Sequence, residues 1–312
     1  MTSKKEVNKK IDYSKILEIL SNEEALKQVY LIGDIRDAAV SMINDVQVDG
    51  HHTYTRRSDG QWLQGVSTVS SIVPKDWLSA WGAKEAVKAL GYSDYVGDIT
   101  TAEEVLKKIK ACKTIEEYLA ILKDAKGASR RKSKEALVDG TAGHEWLEQF
   151  VKARIRGEKS PEMPKEGMLT RPISQFLEWE GKNVEYWILS EAMVASPEDG
   201  YAGTLDGVAM MKDGRLALID FKFASHISED YYLQTAGYAN CFQKYGIKID
   251  DRIIIRLPKT PEKDEWNEKE RKYEKVPNNI EVKVVETDLD EDIKVFLACL
   301  PVKSWINKIN NK

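Results

Sequence analysis

Two carboxylates and an ammonium group stand at spacings that suit a bound metal ion beside a fixed positive charge. Asp220-Phe221-Lys222 closes an apolar run, Leu216 to Ile219, that reads as a buried strand, and Asp206 lies in the preceding segment AGTLDGVAMM. Side chains alternate along a strand, so Asp220 and Lys222 share one face. The two segments read as a hairpin turning at Asp213-Gly214. A two-residue turn would pair Lys212 with Arg215, leaving Asp206 opposite Phe221 and on the wrong face. A three-residue loop, Lys212 to Gly214 with Gly214 left-handed, pairs Met211 with Arg215 instead. Asp206 then stands across from Asp220, their side-chain roots ~5 Å apart. Carboxylates so placed repel unless a cation lies between them, and a hard divalent ion such as Mg2+ or Mn2+ meets that need. A pair of solvated strand residues is the plainer alternative. It sits poorly with Ala217-Leu218-Ile219, because unpaired charge is costly in a core strand.

An acid-x-Lys triplet alone carries little weight in a chain with 31% charged residues. Glu270-Arg271-Lys272 falls in a polar stretch and Asp292-Ile293-Lys294 on a terminal helix, where both read as solvated faces. Glu281-Val282-Lys283 is the closer rival, since it too lies on a strand. Beyond Lys222, a helix places Gln234 and Tyr238 one turn apart. Upstream, Gly140-Thr141-Ala142-Gly143-His144 reads as the start of a helix from about Thr141, with His144 in its first turns. Its small residues permit close approach to another backbone. A lone helical histidine is more often structural than a ligand. HEWLE evokes a zinc-protease motif, but Glu148 stands where the second histidine ligand belongs, so that reading fails.

Several elements must position these residues. From about 13 to 48 the pattern is helical, with Ile16, Leu17, Ile19, Leu20, Ala25 and Leu26 on its apolar positions. HHTYTRRSDG reads as a hairpin or loop, and Val66 to Val73 is rich in β-branched and hydroxyl residues. Pro74 opens a helix carrying Trp77, Leu78, Trp81 and Ala86, whose tryptophans read as core more readily than as base-stacking platforms. A helical block over 101–125 leads to the basic cluster Lys126, Arg130, Arg131, Lys132 and Lys134, ahead of the His144 helix. That cluster suits phosphate contacts and a solvated face equally well. From residue 184 the period changes to two, and VEYWILSEAMV, AGTLDGVAMM, RLALIDFKF, DRIIIRL and IEVKVVE read as five strands. A helix spans about 229–245, the stretch 260–279 reads as a mobile loop, and the last 25 residues form a helix interrupted at Pro301.

Composition sets outer limits. The chain has 312 residues and a formal net charge of -4, which excludes a globally basic binder but not local patches. No stretch approaches the ~20 apolar residues of a membrane span, and the N-terminus MTSKKEVNKK lacks the apolar core of a signal peptide. Cys112, Cys241 and Cys299 are odd in number and widely spaced, so a disulfide framework and a four-cysteine iron-sulfur cluster are both excluded. A reducing cytoplasm is the expected setting.

GTAGHEW, GTLD, IDFK and YYLQTAGYA, in this order, resemble the RecB-like branch of the PD-(D/E)XK nuclease superfamily. Residues 135–245 carry the resemblance, and GVSTVSSIVPKDWLSAW loosely resembles segments preceding the core in phage-encoded exonucleases. The resemblance implies an α/β (α+β) fold: a central mixed five-stranded sheet flanked by helices, the restriction-endonuclease-like core, over 135–312, with a mainly helical N-terminal region over 1–134 packed on it and contacting DNA. It implies Mg2+- or Mn2+-dependent hydrolysis of phosphodiesters, one or two ions being held by His144, Asp206, Asp220 and the Phe221 carbonyl. Lys222 would position or activate the attacking water or stabilise charge. Gln234 and Tyr238 would support the site and the nucleic acid, and Glu191 would be the family's upstream acid. Leu205 stands where the family's name has proline, as in many RecB-like members.

The expectation is a DNA exonuclease of replication, recombination or repair, in the cytoplasm of its cell, or of the host if phage-encoded. Its partners would be DNA and a phage or host recombination or replication protein. A structure-specific or restriction-like endonuclease, a non-catalytic DNA-binding accessory protein and an RNA nuclease are the alternatives. The complete Asp206, Asp220 and Lys222 set speaks against a binding-only role.

Overall fold

The computed structural model describes residues 23–49, 53–93, 99–165 and 167–310. Ile16, Leu17, Ile19, Leu20, His51 and His52 lie outside them. The five strands expected from the period-two pattern are present as β4 (Val184–Ser196), β5 (Tyr201–Met211), β6 (Leu216–Lys222), β7 (Asp251–Arg256) and β10 (Glu281–Val284). The sheet is mixed: β5 pairs antiparallel with both β4 and β6, whereas β6 and β7 are parallel. A parallel pair needs a crossover, and the helix Asp230–Gln243 supplies it.

The sheet is larger than the expected five strands. β1 (Val46–Val48), β2 (Tyr54–Arg56) and β3 (Trp62–Gly65) extend it to eight, β3 pairing parallel with β5. Strands of three or four residues carry too few alternations to register as a period. The N-terminal region therefore adds strands as well as helices to the sheet that carries the candidate residues.

Helices cover both faces. One face packs residues of α1 (Glu23–Asn44), α2 (Val66–Ser70), α8 (Asp230–Gln243) and α9 (Leu289–Asn310), among them Ile35, Met42, Val66, Phe242 and Phe296, against Leu216 and Leu218. The other packs α6 (Ala128–Arg156) and α7 (Thr170–Asn183) against Ala217, Ile219 and Phe221. β6 thus sends alternate residues into two cores. The Phe221 ring meets Phe176 edge-on at 5.3 Å and lies 6.2 Å from Trp187. Such pairs add ~0.5–1.5 kcal/mol each beyond burial, so the backbone between Asp220 and Lys222 is anchored from beneath.

Several boundaries differ from expectation. The block over 101–125 is two helices, α4 (Thr100–Ala111) and α5 (Ile115–Lys126), the second opened by a Thr114/Glu117 capping box. His144 is not near a helix start, because α6 begins at Ala128 and contains both Arg130 to Lys134 of the basic cluster and Gly140. The 260–279 stretch is a hairpin, β8 (Glu262–Asn267) and β9 (Lys272–Pro277), held by cross-strand pairs such as Trp266 with Tyr273 rather than by burial. α9 is not interrupted at Pro301 but runs through it, and beside the proline the Gln64 side-chain amide donates to the Leu300 carbonyl at 3.1 Å. Trp77, in the first turn of α3 (Trp77–Ala89), is 41% exposed and so is no core residue. No helix among the described residues is long and apolar enough to cross a membrane.

Gly143 sets how closely α6 approaches the sheet. A Cβ there would lie 2.2 Å from the tip of the Phe223 ring, whereas one on exposed Gly33, inside α1, would meet nothing within 4 Å. Alanine gains up to ~1 kcal/mol over glycine in a helix interior, and overpacking costs ~1–3 kcal/mol. Urea unfolding should therefore find Gly33→Ala stabilised and Gly143→Ala destabilised by about 1–2 kcal/mol. Stabilisation of Gly143→Ala would mean that the helix is not pressed against Phe223.

Candidate functional site

The site forms where β5 changes partners. Along one edge β5 pairs with β4; along the other it meets β3 at Tyr201–Ala202 and β6 only from Gly207 onward. Residues 203–206 face the notch between β3 and β6, so backbone groups there must find partners other than a strand. The Tyr238 hydroxyl donates to the Thr204 carbonyl at 2.8 Å, and the Tyr54 hydroxyl lies 3.2 Å from Thr204 Oγ1. At the far lip of the notch the Phe221 N–H donates to Asp206 Oδ2 at 2.6 Å. A side-chain carboxylate here replaces the missing ladder partner.

The hairpin has the three-residue loop. The Met211 N–H donates to the Arg215 carbonyl and the Gly214 N–H to the Met211 carbonyl, both at 2.9 Å, with Gly214 at a φ of 83°. The register Met210↔Leu216 through Gly207↔Ile219, carried on by one residue, sets Asp206 across from Asp220. On the other side Ser190↔Gly207 and Ala192↔Leu205 set Glu191 across from Asp206. Three carboxylates thus form one row over three adjacent strands. Glu191 has a φ of 44°, a left-handed conformation that costs a non-glycine residue ~1–3 kcal/mol and often marks a functional position.

α6 brings His144 to this row, its Nδ1 4.0 Å from Asp206 Oδ1 and its ring edge-on to Phe223 at 5.2 Å. Burial, and next the positive charge of Lys222, hold the imidazole down to about 4. It is therefore neutral at pH 7, and the 4.0 Å approach is not an ion pair. A neutral ring is the ligating form. Burial raises Asp206 and Asp220 above the usual carboxylate range despite the nearby ammonium. Burial, then repulsion from Asp206 and Glu148, pushes Glu191 up to about 8. Lys222 Nζ lies 2.6 Å from Asp220 Oδ2 and 5.0 Å from the Tyr231 ring centroid. Burial alone would lower its pKa, but Asp220 and Asp206 more than offset this and hold it above the ordinary lysine value.

The donor set suits a divalent cation. Ligand atoms of His144, Glu191 and Asp206 all lie within 4.8 Å of one another. Asp220 is 1% exposed, and the Lys222 ammonium, 2.6 Å from its Oδ2, is the close contact of that oxygen. The Phe221 carbonyl is placed by strand alternation. The Lys222 carbonyl accepts from the Leu257 N–H on the β7 side, so the preceding carbonyl faces β5, as the Phe221 N–H does. Oxygen donors with one imidazole match Mg2+ or Mn2+ in ligand type.

Asp206, Asp220, Lys222, His144, Glu191 and the Phe221 backbone therefore converge. Gln234 and Tyr238 stand behind them on α8, joined at 3.1 Å and fastened to β5 through Thr204. Arg130 and Arg131 do not join the group: they lie on the His144 helix itself, ~20 Å away at 1.5 Å per residue. Arg131 is paired with Asp124 at 2.9 Å, and Lys132 with buried Glu85. Of the rival triplets, Glu281 pairs with Arg256 and Lys272 with Glu270.

Sequence reading overlooked three residues. Tyr231 precedes Gln234 by three and Tyr238 by seven, a spacing that puts all three on one helix face and could have revealed it. Glu148, one turn after His144, adds to the crowding at Glu191. Lys259 lowers the His144 pKa; its neighbourhood left no signal in the sequence.

Fold and site together define a mixed α/β protein whose sheet, helix-covered on both faces, presents a crowded carboxylate row. No family model and no curated protein matches this chain.

The crowding has a pH signature. A carboxyl whose folded pKa is raised, as at Glu191, stabilises fully below its ordinary value near 4.5 and loses that contribution as pH rises through about 8. In EDTA the melting temperature should therefore fall between pH 5 and 8, and Glu191→Gln should flatten the fall. Mn2+ should raise the melting temperature of the wild type more at pH 8 than at pH 5. A flat profile for the wild type would mean that the row is not crowded.

Proposed function

We propose that this chain is a metal-dependent DNA nuclease of the RecB-like kind, acting as an exonuclease in replication, recombination or repair. The observation that carries the reading is the row of Glu191, Asp206 and Asp220 on neighbouring strands, with His144 and the Lys222 ammonium against it. A protein that only binds DNA has no use for buried carboxylates, because they repel phosphate.

His144, Asp206, Asp220 and the Phe221 carbonyl would hold the ion, with Glu191 at the outer end of the row. Bound there, a divalent cation offsets the carboxylate charge, draws in a phosphate and lowers the pKa of a water. The remaining tasks fall to side chains. Lys222, kept charged by its two aspartates, supplies fixed positive charge where a phosphorane gathers negative charge. The Phe221 N–H fixes the Asp206 carboxylate, and Tyr238 ties the strand behind it to α8. His144 stays neutral and so presents a nitrogen lone pair.

Linear and covalently closed circular DNA incubated with the protein and Mg2+ or Mn2+ test the reading. Linear DNA should be degraded and circles left intact, EDTA should stop the reaction, and Lys222→Ala should slow it by at least ~10²-fold. Cutting of circles would make the enzyme an endonuclease. Binding without cleavage of either substrate would leave the accessory-protein alternative.

A further inference from the structure

Trp77 and Lys75 border the candidate site from the N-terminal region, and no role described so far uses them. Trp77 is 41% exposed; its ring centre lies 4.5 Å from that of His226, at an interplanar angle of 86°. His226 belongs to the segment that leaves β6 just after Lys222 and leads into α8. Lys75 Nζ lies 2.9 Å from Asp230 Oδ2 and 5.6 Å from the Tyr231 ring centroid, whose distance to Lys222 Nζ is 5.0 Å. Two ammonium groups thus share one tyrosine ring, which limits their separation to about 11 Å.

We infer that Trp77 and Lys75 form a subsite for an unpaired stretch of the DNA strand, with a base stacked on Trp77 and Lys75 on a phosphate near the one facing Lys222. This rests on the nuclease reading and adds the form of the substrate. In a duplex the base faces are stacked on one another, so an aromatic side chain can cover only a base that has left the stack. Trp77 meets His226 edge-on and is still 41% exposed, so part of its surface is open to a base. Lys75 is held by a single carboxylate oxygen and its side chain is 32% exposed, leaving ammonium protons for a phosphate. Asp230 is only 5% exposed, and its Oδ1 makes no hydrogen bond among the described residues.

Fluorescence anisotropy in Ca2+ tests the subsite, using a short single-stranded oligonucleotide, the same strand with an abasic tract, and a blunt duplex. The wild type should bind the intact strand about tenfold more tightly than the abasic one, base stacking being the difference. Trp77→Ala should lose that difference and leave duplex binding unchanged, while Trp77→Phe should keep most of it. Lys75→Ala should reduce the slope of log affinity against log salt by roughly 0.7 for both strands. Equal affinity of the wild type for intact and abasic strands overturns the subsite, whatever a variant does to folding. If that equality comes with cleavage of linear DNA, the nuclease reading stands without it. A wild type that neither binds nor cleaves DNA removes both.

Discussion

The hydrogen bond from the Phe221 N–H to the Asp206 carboxylate, 2.6 Å long, is the contact on which the site depends. It stands where β5 has left β3 and not yet joined β6, so no backbone carbonyl is in place to accept that N–H. Using a side chain as the missing partner aims Asp206 at the strand that carries Asp220. It also leaves a notch in the sheet, through which a substrate could reach groups that a continuous ladder would cover. The same gap explains the Tyr238 hydroxyl: the Thr204 carbonyl needs a donor, and α8 provides it from across the sheet.

Charge in the site is deliberately ill-matched for a protein alone. Three carboxylates converge, one on strained backbone, while the Lys222 ammonium against them is already paired with Asp220. Burial makes each of these carboxylates harder to ionise. The same burial that holds His144 neutral prepares it to ligate, so acids and imidazole lean together toward a bound cation. If the proposed function holds, such an arrangement trades stability of the protein alone for affinity toward a cation, as functional sites often do.

Rigid packing makes this tolerable. Phe221 is locked among Phe176 and Trp187 on one side of the sheet, and α8 presses on the other through Tyr201, whose hydroxyl donates to the Gly237 carbonyl at 3.0 Å. Tyr231, Gln234 and Tyr238 project from one stripe of that helix. One helix therefore reaches the lysine, the support of β5 and, through Asp230, the Lys75 segment.

The sequence alone determined the strands of the central sheet and narrowed its key hairpin to two registers. Side-chain alternation and a glycine at positive φ suit both a two-residue turn and a three-residue loop, and it is the observed Met211–Arg215 pairing that sets Asp206 across from Asp220. The sequence also singled out His144, Glu191, Gln234 and Tyr238, through their resemblance to a nuclease family. Helix limits were harder to read. Gly140 and Gly143 resemble a helix start by composition, but their small size serves the approach of α6 to Phe223 inside a 29-residue helix. The strands β1 to β3 are too short to show a period, and the β8–β9 hairpin has no buried face to produce one. Tertiary structure alone decided that the basic cluster sits far from the site, that Tyr231 lies against Lys222, and that Trp77 stays exposed. Those outcomes depend on which surfaces meet when distant segments pack, and contacts of that kind leave no spacing along the chain.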